Sequence, residues 1–477
     1  MPSALLFVLA LTLGADSAGT LTLAPCEDPA LAGGKCGTYT VWEDRAARSG
    51  RTIALRLVVL PATEPDLRVP DPLFVLAGGP GQGAAELAPA LAGRWSRVHR
   101  RRDLVFVDQR GTGASNPLRC EPPVGVDTLA WLLRSQFDVE MIRQCRPGLE
   151  RRADLVHYTT PIAMDDLDEV RGALGYDRIN LVGGSYGSRA ALVYARQHPA
   201  RVRTLLLESV ASVDMRIPLT FARDAQLAFA GLARDCRADS ACAHAYPDPE
   251  RDLARTLARF DSGPVRVPLA SARTGGTVVV PVERGWLAET LRYLLYAPET
   301  AALVPKYLRA AAGGDLEPLV AFGLRQRFAL WQQLSLGVML TVTCAEDIPF
   351  ISDAEARRWS AGTYLGDTRI AQQRRACAEW PRASLPRGYG RAVRSDAPAL
   401  LVAGEFDPAT SALIAHAVGR HLSRGRVVVV PHGGHSGLGL VNAGCIDRIE
   451  EEFLDSGSAD DLDDWCLRDV RRPAFAR

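Results

Sequence analysis

Residues 179–199, INLVGGSYGSRAALVYARQHP, constrain the fold more than any other stretch of this chain. An apolar run gives way to Gly183-Gly184-Ser185-Tyr186-Gly187 and then at once to an alanine-rich pattern of helical period. A buried strand that turns straight into a helix needs glycines where the two backbones approach. A serine at that apex is held in a strained conformation that leaves its hydroxyl projecting freely. The helix that follows aims its positive end at the same point and favours negative charge developing there. A serine between glycines is a weak signal alone. Its position between a buried strand and a helix gives it weight.

The same alternation organises the first part of the chain. From residue 39 to about 210, the apolar, β-branched runs TIALRLVVLPA, PLFVLAGGPG, DLVFVDQRG, RINLVGGS and VRTLLLESV are bounded by Gly, Pro or Asp and separated by helical patterns. One helix is predicted to open at Thr160-Pro161 and to carry Leu167, Val170 and Leu174 on one face before Gly175. Strands alternating with helices predict an α/β fold, a mostly parallel sheet with helices on both faces. Between about 211 and 394 long helical patterns replace the strands, among them FARDAQLAFAGLARDC and RGWLAETLRYLLYAPETAALVPKYLRAAA, and predict a helical insertion. The rhythm returns with APALLVAGEFDPAT, GRVVVVPHGGH and a last helix near 445–454. The expected organisation is core at 19–210, cap insertion at 211–394 and core again at 395–477.

A serine nucleophile needs a base and an acid that orients it, and both are expected past the ends of later strands. Asp407 follows the run ALLVAG, and His435 follows VVVV. His435 is expected to take the proton of Ser185 and return it to the leaving group, while Asp407 fixes its tautomer. His432 is the rival base and Glu208, at the end of TLLLESV, the rival acid. His432 and His435 lack a third ligand of suitable spacing for a metal, and no metal or other cofactor is expected. An oxyanion needs two donors. The N–H of Tyr186 is one, and the loop LAGGPGQGA offers the other, expected at Gly79 because Pro80 has no N–H.

Composition excludes some partners. The 477 residues carry a net charge of +1, with Lys35 and Lys306 the only lysines, so no footprint for nucleic acid is present. The apolar run within residues 4–13, followed by small residues at 15–18, resembles a secretory signal over 1–18, although no Lys or Arg precedes it. No other segment reads as a membrane span. Ten cysteines without C-x-x-C spacing point to disulfides in an oxidising compartment, secreted or periplasmic. Spacing does not fix their connectivity. Neighbours in chain order give the simplest pairing: Cys26 with Cys36, Cys120 with Cys145, Cys236 with Cys242, Cys344 with Cys377 and Cys445 with Cys466.

Taken together, GGPGQG, DQRGTGAS, GGSYGS, GEFDPAT and GGH resemble the prolyl aminopeptidase and tripeptidyl aminopeptidase family of α/β-hydrolases. Residues 221–247, the stretch TCAEDIPF and the segment 445–466 are similar to secreted members. The resemblance implies an α/β-hydrolase fold with a helical cap, removing residues from peptide N-termini without a metal. It matches Ser185, Asp407 and His435 to the triad and Gly79 with Tyr186 to the oxyanion loop. Ala77 stands where prolyl aminopeptidases usually have a histidine.

The expected substrate is a peptide, with a small ester as the alternative for a carboxylesterase using the same residues. A binding protein on the same scaffold would be expected to lose triad residues. Epoxide and haloalkane hydrolysis would want a carboxylate where Ser185 stands. Removing an N-terminal residue requires recognising an ammonium group, and a buried cation needs a carboxylate partner. Glu346 and Asp347, at the end of the apolar run 334–342 and beside Cys344, are the expected substrate-binding acids, with a helix cap or solvated turn as the plainer reading. Oligomeric state is left open by the sequence.

Overall fold

A computed structural model describes residues 18–122, 127–270 and 276–477; residues 1–17, nearly all of the segment read as an export signal, lie outside the described residues. In chain order the strands are β1 (Leu21–Pro25), β2 (Lys35–Trp42), β3 (Thr52–Leu60), β4 (Leu73–Leu76), β5 (Leu104–Val107), β6 (Ile179–Gly184), β7 (Val202–Glu208), β8 (Val265–Ala270), β9 (Thr277–Val282), β10 (Ala399–Gly404) and β11 (Gly425–Val430). Nine of them form one sheet in the order β1-β2-β3-β5-β4-β6-β7-β10-β11. From β5 through β11 every pairing is parallel, while β1, β2 and β3 add an antiparallel edge.

The parallel strands are apolar at nearly every position because both faces of the sheet are covered. β4, β5 and β10 are buried along their whole length. Successive side chains still divide between two cores, as the period of two requires. Along β10, Ala399, Leu401 and Ala403 join the core beneath the helices Thr160–Ala173, Tyr186–Gln197 and Ala412–Gly419. Leu400 and Val402 join the opposite core, closed by the helices Ala88–Arg94 and Gly444–Ser456.

A third core lies in the insertion, around the helices Phe221–Ala238, Arg284–Leu294 and Val304–Gly313. Three features depart from the expected helical cap at 211–394. β8 and β9 form an antiparallel hairpin there, each carrying a proline that weakens the strand signal. The long helical pattern after Arg284 is broken, because Pro298 holds Ala297 extended at φ −124°, ψ 139°. The helix Leu336–Glu346 packs Val338, Leu340 and Val342 into the sheet-side core, not the cap core. It has no polar stripe, and a helix apolar all round belongs inside. Ala376, Trp380, Tyr389 and Val393 follow it into that core. The last part of the expected insertion is thus packed with the main body.

Five disulfides join the cysteines in the chain-order couples named above. Cys344–Cys377 ties the helix Leu336–Glu346 to the helix Thr368–Ala378. No helix among the described residues is long and apolar enough to cross a membrane.

Candidate active site

Ser185 stands between the end of β6 and the helix Tyr186–Gln197 with φ 55° and ψ −123°, a conformation that side-chain-bearing residues seldom adopt. Its N–H donates to the Glu208 carbonyl at 2.9 Å, which fixes the turn to β7. The flanking glycines are required by contact: a Cβ on Gly183 would collide with the Gly187 carbonyl, and one on Gly187 with the Leu76 carbonyl. The glycine loop after β4 lies directly over the serine, since a Cβ on Gly78 would meet that of Ser185 at 3.4 Å. Buried Asp108 braces this loop by accepting the N–H groups of Ala85 at 2.8 Å and Ala114 at 3.0 Å. Burial raises the Asp108 carboxyl above its usual range, with those N–H bonds opposing the shift. The DQRGTGAS motif therefore has a bracing part to play.

Asp407 follows β10 and His435 follows β11. His435 Nδ1 lies 3.0 and 2.9 Å from the two Asp407 oxygens. The carboxylate also accepts the N–H groups of Ala409 and Thr410 at 2.8 Å each and the Thr410 hydroxyl at 2.8 Å. Burial alone would raise its pKa. The facing His435 and the N–H groups outweigh burial and hold Asp407 below the usual carboxylate range. Tyr296 packs its ring 4.7 Å from that of His435, and its carbonyl accepts the Ser436 N–H at 2.9 Å. Tyr296 lies past the end of the helix Arg284–Leu294, in the break before Pro298.

The rivals are engaged by other partners. His432 Nδ1 lies 2.9 Å from Asp235 on a cap helix. Glu208 points to the same side of β7 as Leu206 and pairs with Arg94 at 2.9 Å.

Residues 71–260 match the family described as alpha/beta hydrolase fold, and residues 363–466 match the one described as TAP-like protein. Serine protease Hip1 of Mycobacterium tuberculosis is 30% identical over 226 residues, covering 44% of this chain and 43% of that protein, so this alignment reaches less than half of its length. Tripeptidyl aminopeptidase of Streptomyces coelicolor is 26% identical over 467 residues, covering 91% of this chain and 83% of that one. Proline iminopeptidase of Neisseria gonorrhoeae is 32% identical over 139 residues, covering 29% of this chain and 32% of that one. The chain is an α/β-hydrolase, similar to the prolyl and tripeptidyl aminopeptidases.

In this α/β-hydrolase, Ser185, Gly79, Thr410 and His435 line one cleft of about 780 Å³ between the strand ends and the cap. Arg292, Tyr293 and Tyr296 reach it from the cap, and Arg369 and Gln373 from the helix Thr368–Ala378. Tyr186, whose N–H heads the helix, is buried beside the cleft, and its hydroxyl meets Thr160 Oγ1 at 2.7 Å.

Glu346 and Asp347 are not in this cleft, which corrects their expected role. Both are fully buried behind the serine turn. Glu346 accepts the Thr160 N–H at 2.8 Å, the Thr160 hydroxyl at 2.9 Å and the Tyr389 hydroxyl. Asp347 pairs with buried Arg189 at 3.0 Å and accepts the Ile217 N–H at 2.9 Å. Burial pushes Glu346 up to about 7 and Asp347 up to about 6, against the pull of Arg189. Sequence reasoning also passed over Thr410 and Tyr296. Thr410 had a local signal, because an Asp followed by the pattern P-A-T commonly folds back on its own N–H groups.

Proposed function

We propose that the chain is an exported serine peptidase that releases residues from peptide N-termini through an acyl-enzyme, with Ser185, His435 and Asp407 as its triad. The observation that carries this reading is the His435 ring, held through Nδ1 by both oxygens of buried Asp407 on the wall of the cleft that Ser185 lines. Ser185 Oγ attacks the scissile carbonyl as His435 takes its proton, and Asp407 stabilises the imidazolium. The N–H groups of Gly79 and Tyr186 receive the oxyanion, aided by the helix end behind Tyr186. His435 then protonates the leaving amine. Water, deprotonated by the same histidine, releases the acyl group. The relatives named tripeptidyl aminopeptidase and proline iminopeptidase support a peptide substrate, and the five disulfides support an oxidising compartment.

One observation favours a carboxylesterase as the second reading: the acids expected to bind an N-terminal ammonium are sealed behind the serine. Two experiments decide. A fluorophosphonate should label Ser185, and Ser185→Ala should lower kcat by roughly 10⁶-fold; labelling elsewhere, or an active alanine variant, removes the triad. Preference for a free aminoacyl substrate over its N-acetyl form supports the peptidase, and equal cleavage of both, with rapid turnover of short esters, the esterase.

A further inference from the structure

The wall of the cleft on the cap side carries a surplus of positive charge. Arg292 is almost wholly buried, stacked among Phe221, Tyr293 and Tyr296 with its guanidinium carbon 4.8, 4.6 and 5.1 Å from their ring centres. It donates to Glu289 at 2.9 Å and to the Tyr296 hydroxyl at 2.6 Å. Arg369 stacks on Phe137 at 4.4 Å and shares the same Glu289 at 3.6 Å. Burial would raise the Glu289 carboxyl, but Arg292, Arg369 and the nearby Arg327 outweigh it and hold it below its usual range. Two guanidinium groups thus share one carboxylate, and Arg292 and Arg369 face the cleft while Glu289 lines the recess behind it.

A second observation converges on the same wall. Gln373 is 1% exposed and lines the cleft. Its Oε1 accepts Arg369 Nε at 3.1 Å, which fixes the orientation of the amide. Its Nε2 therefore is the donor left over, and it finds no acceptor among the described residues. A buried donor without an acceptor, beside cations in excess, calls for an anion with two oxygens.

We propose that Arg369, Gln373 and Arg292 form a carboxylate subsite, so that the preferred substrates are anionic peptides. The inference rests on the serine-peptidase reading of the cleft and names its substrate class. Two sources present the same chemistry: an acidic side chain within the peptide, or the terminal carboxylate of a short leaving peptide. Arg292 is one residue away from the base, because the tyrosine that accepts its hydrogen bond also stacks on His435. Substrate carboxylate held there supplies the countercharge that Glu289 alone cannot.

The test is binding to the full-length Ser185→Ala protein, measured calorimetrically with matched short peptides. One pair differs by Glu against Gln within the peptide, the other by a free against an amidated C-terminus. The acidic member of at least one pair should bind tenfold or more tightly, and the pair that responds identifies the source. Added salt should narrow the preference. Gln373→Met and Arg369→Gln, each checked for folding by its thermal transition, should bring the ratio close to one. Equal affinity within both pairs, no detectable binding of either acidic peptide, or a preference that survives both substitutions would overturn the subsite. Fluorophosphonate labelling of wild-type Ser185 is read separately, so failure of the triad and failure of the subsite are distinguishable.

Discussion

Thr410 gives the Asp407–His435 pair a third member. Its hydroxyl donates to Asp407 Oδ2 at 2.8 Å and lies 3.2 Å from His435 Nδ1, so it constrains both the carboxylate and the ring. A hydrogen bond to a charged acceptor contributes about 1.5–3 kcal/mol. Thr410→Val should therefore lower kcat roughly 10- to 100-fold with little change in KM. Asp407→Asn should lower it about 10⁴-fold, because the wrong tautomer is then held. Steady-state kinetics on one peptide substrate ranks the two; a Thr410→Val enzyme as fast as wild type would leave the hydroxyl without a role. Ser185, Asp407 and His435 were legible in the sequence because each closely follows an apolar strand. Glu346 and Asp347 were misread for a reason equally local. The sequence shows two acids after an apolar run, but not Arg189, which meets Asp347 from 158 residues away.

The helix Tyr186–Gln197 depends on that misread pair. Arg189 is clamped by Asp347, and the Tyr186 hydroxyl is joined through Thr160 to Glu346, so the backbone N–H at the head of the helix is positioned from behind. These carboxyls have pKa values raised in the folded protein to about 7 and about 6, from ordinary values of 4.5 and 3.8. Between those limits the folded state binds more protons than the unfolded chain, so this contribution to stability falls as pH rises from 3.8 to about 7. Raising Glu346 from 4.5 to about 7 corresponds to a change of up to about 3 kcal/mol between those two pH values. Glu346→Gln should remove its share. The stability difference between wild type and variant, from urea unfolding, should favour wild type more at pH 5 than at pH 7.5. A difference independent of pH would show that Glu346 does not titrate in this range. Elements whose role depends on such buried partners are poorly legible, whereas β4, β5 and β10 announce themselves by being apolar throughout.

At the scale of the whole molecule, the two cores of the sheet and side chains of the cap meet at the cleft, and the boundary between cap and main body is where the sequence was least informative. Loss of strand rhythm after 210 marks where the insertion begins. Nothing in that rhythm marks its end, because the helix Leu336–Glu346 is a core helix that happens not to be followed by a strand. Cys344–Cys377 crosses this region. It joins the helix that carries Met339 and Thr343 to the one that carries Arg369 and Gln373, so both walls it fixes border the cleft. Its sequence separation is 33 residues, against 6 for Cys236–Cys242 within the cap. Loop-closure entropy assigns about 4 kcal/mol to the longer loop and about 2 kcal/mol to the shorter. The paired substitution Cys344→Ala with Cys377→Ala should therefore lower Tm more than Cys236→Ala with Cys242→Ala. It should also reduce kcat/KM at temperatures where both variants remain folded, since only the first loosens residues that line the cleft. Calorimetric scans paired with peptide hydrolysis at 25 °C separate the two effects; if the cap pair proved the more damaging to activity, the cleft would be governed by the cap core and not by this crosslink.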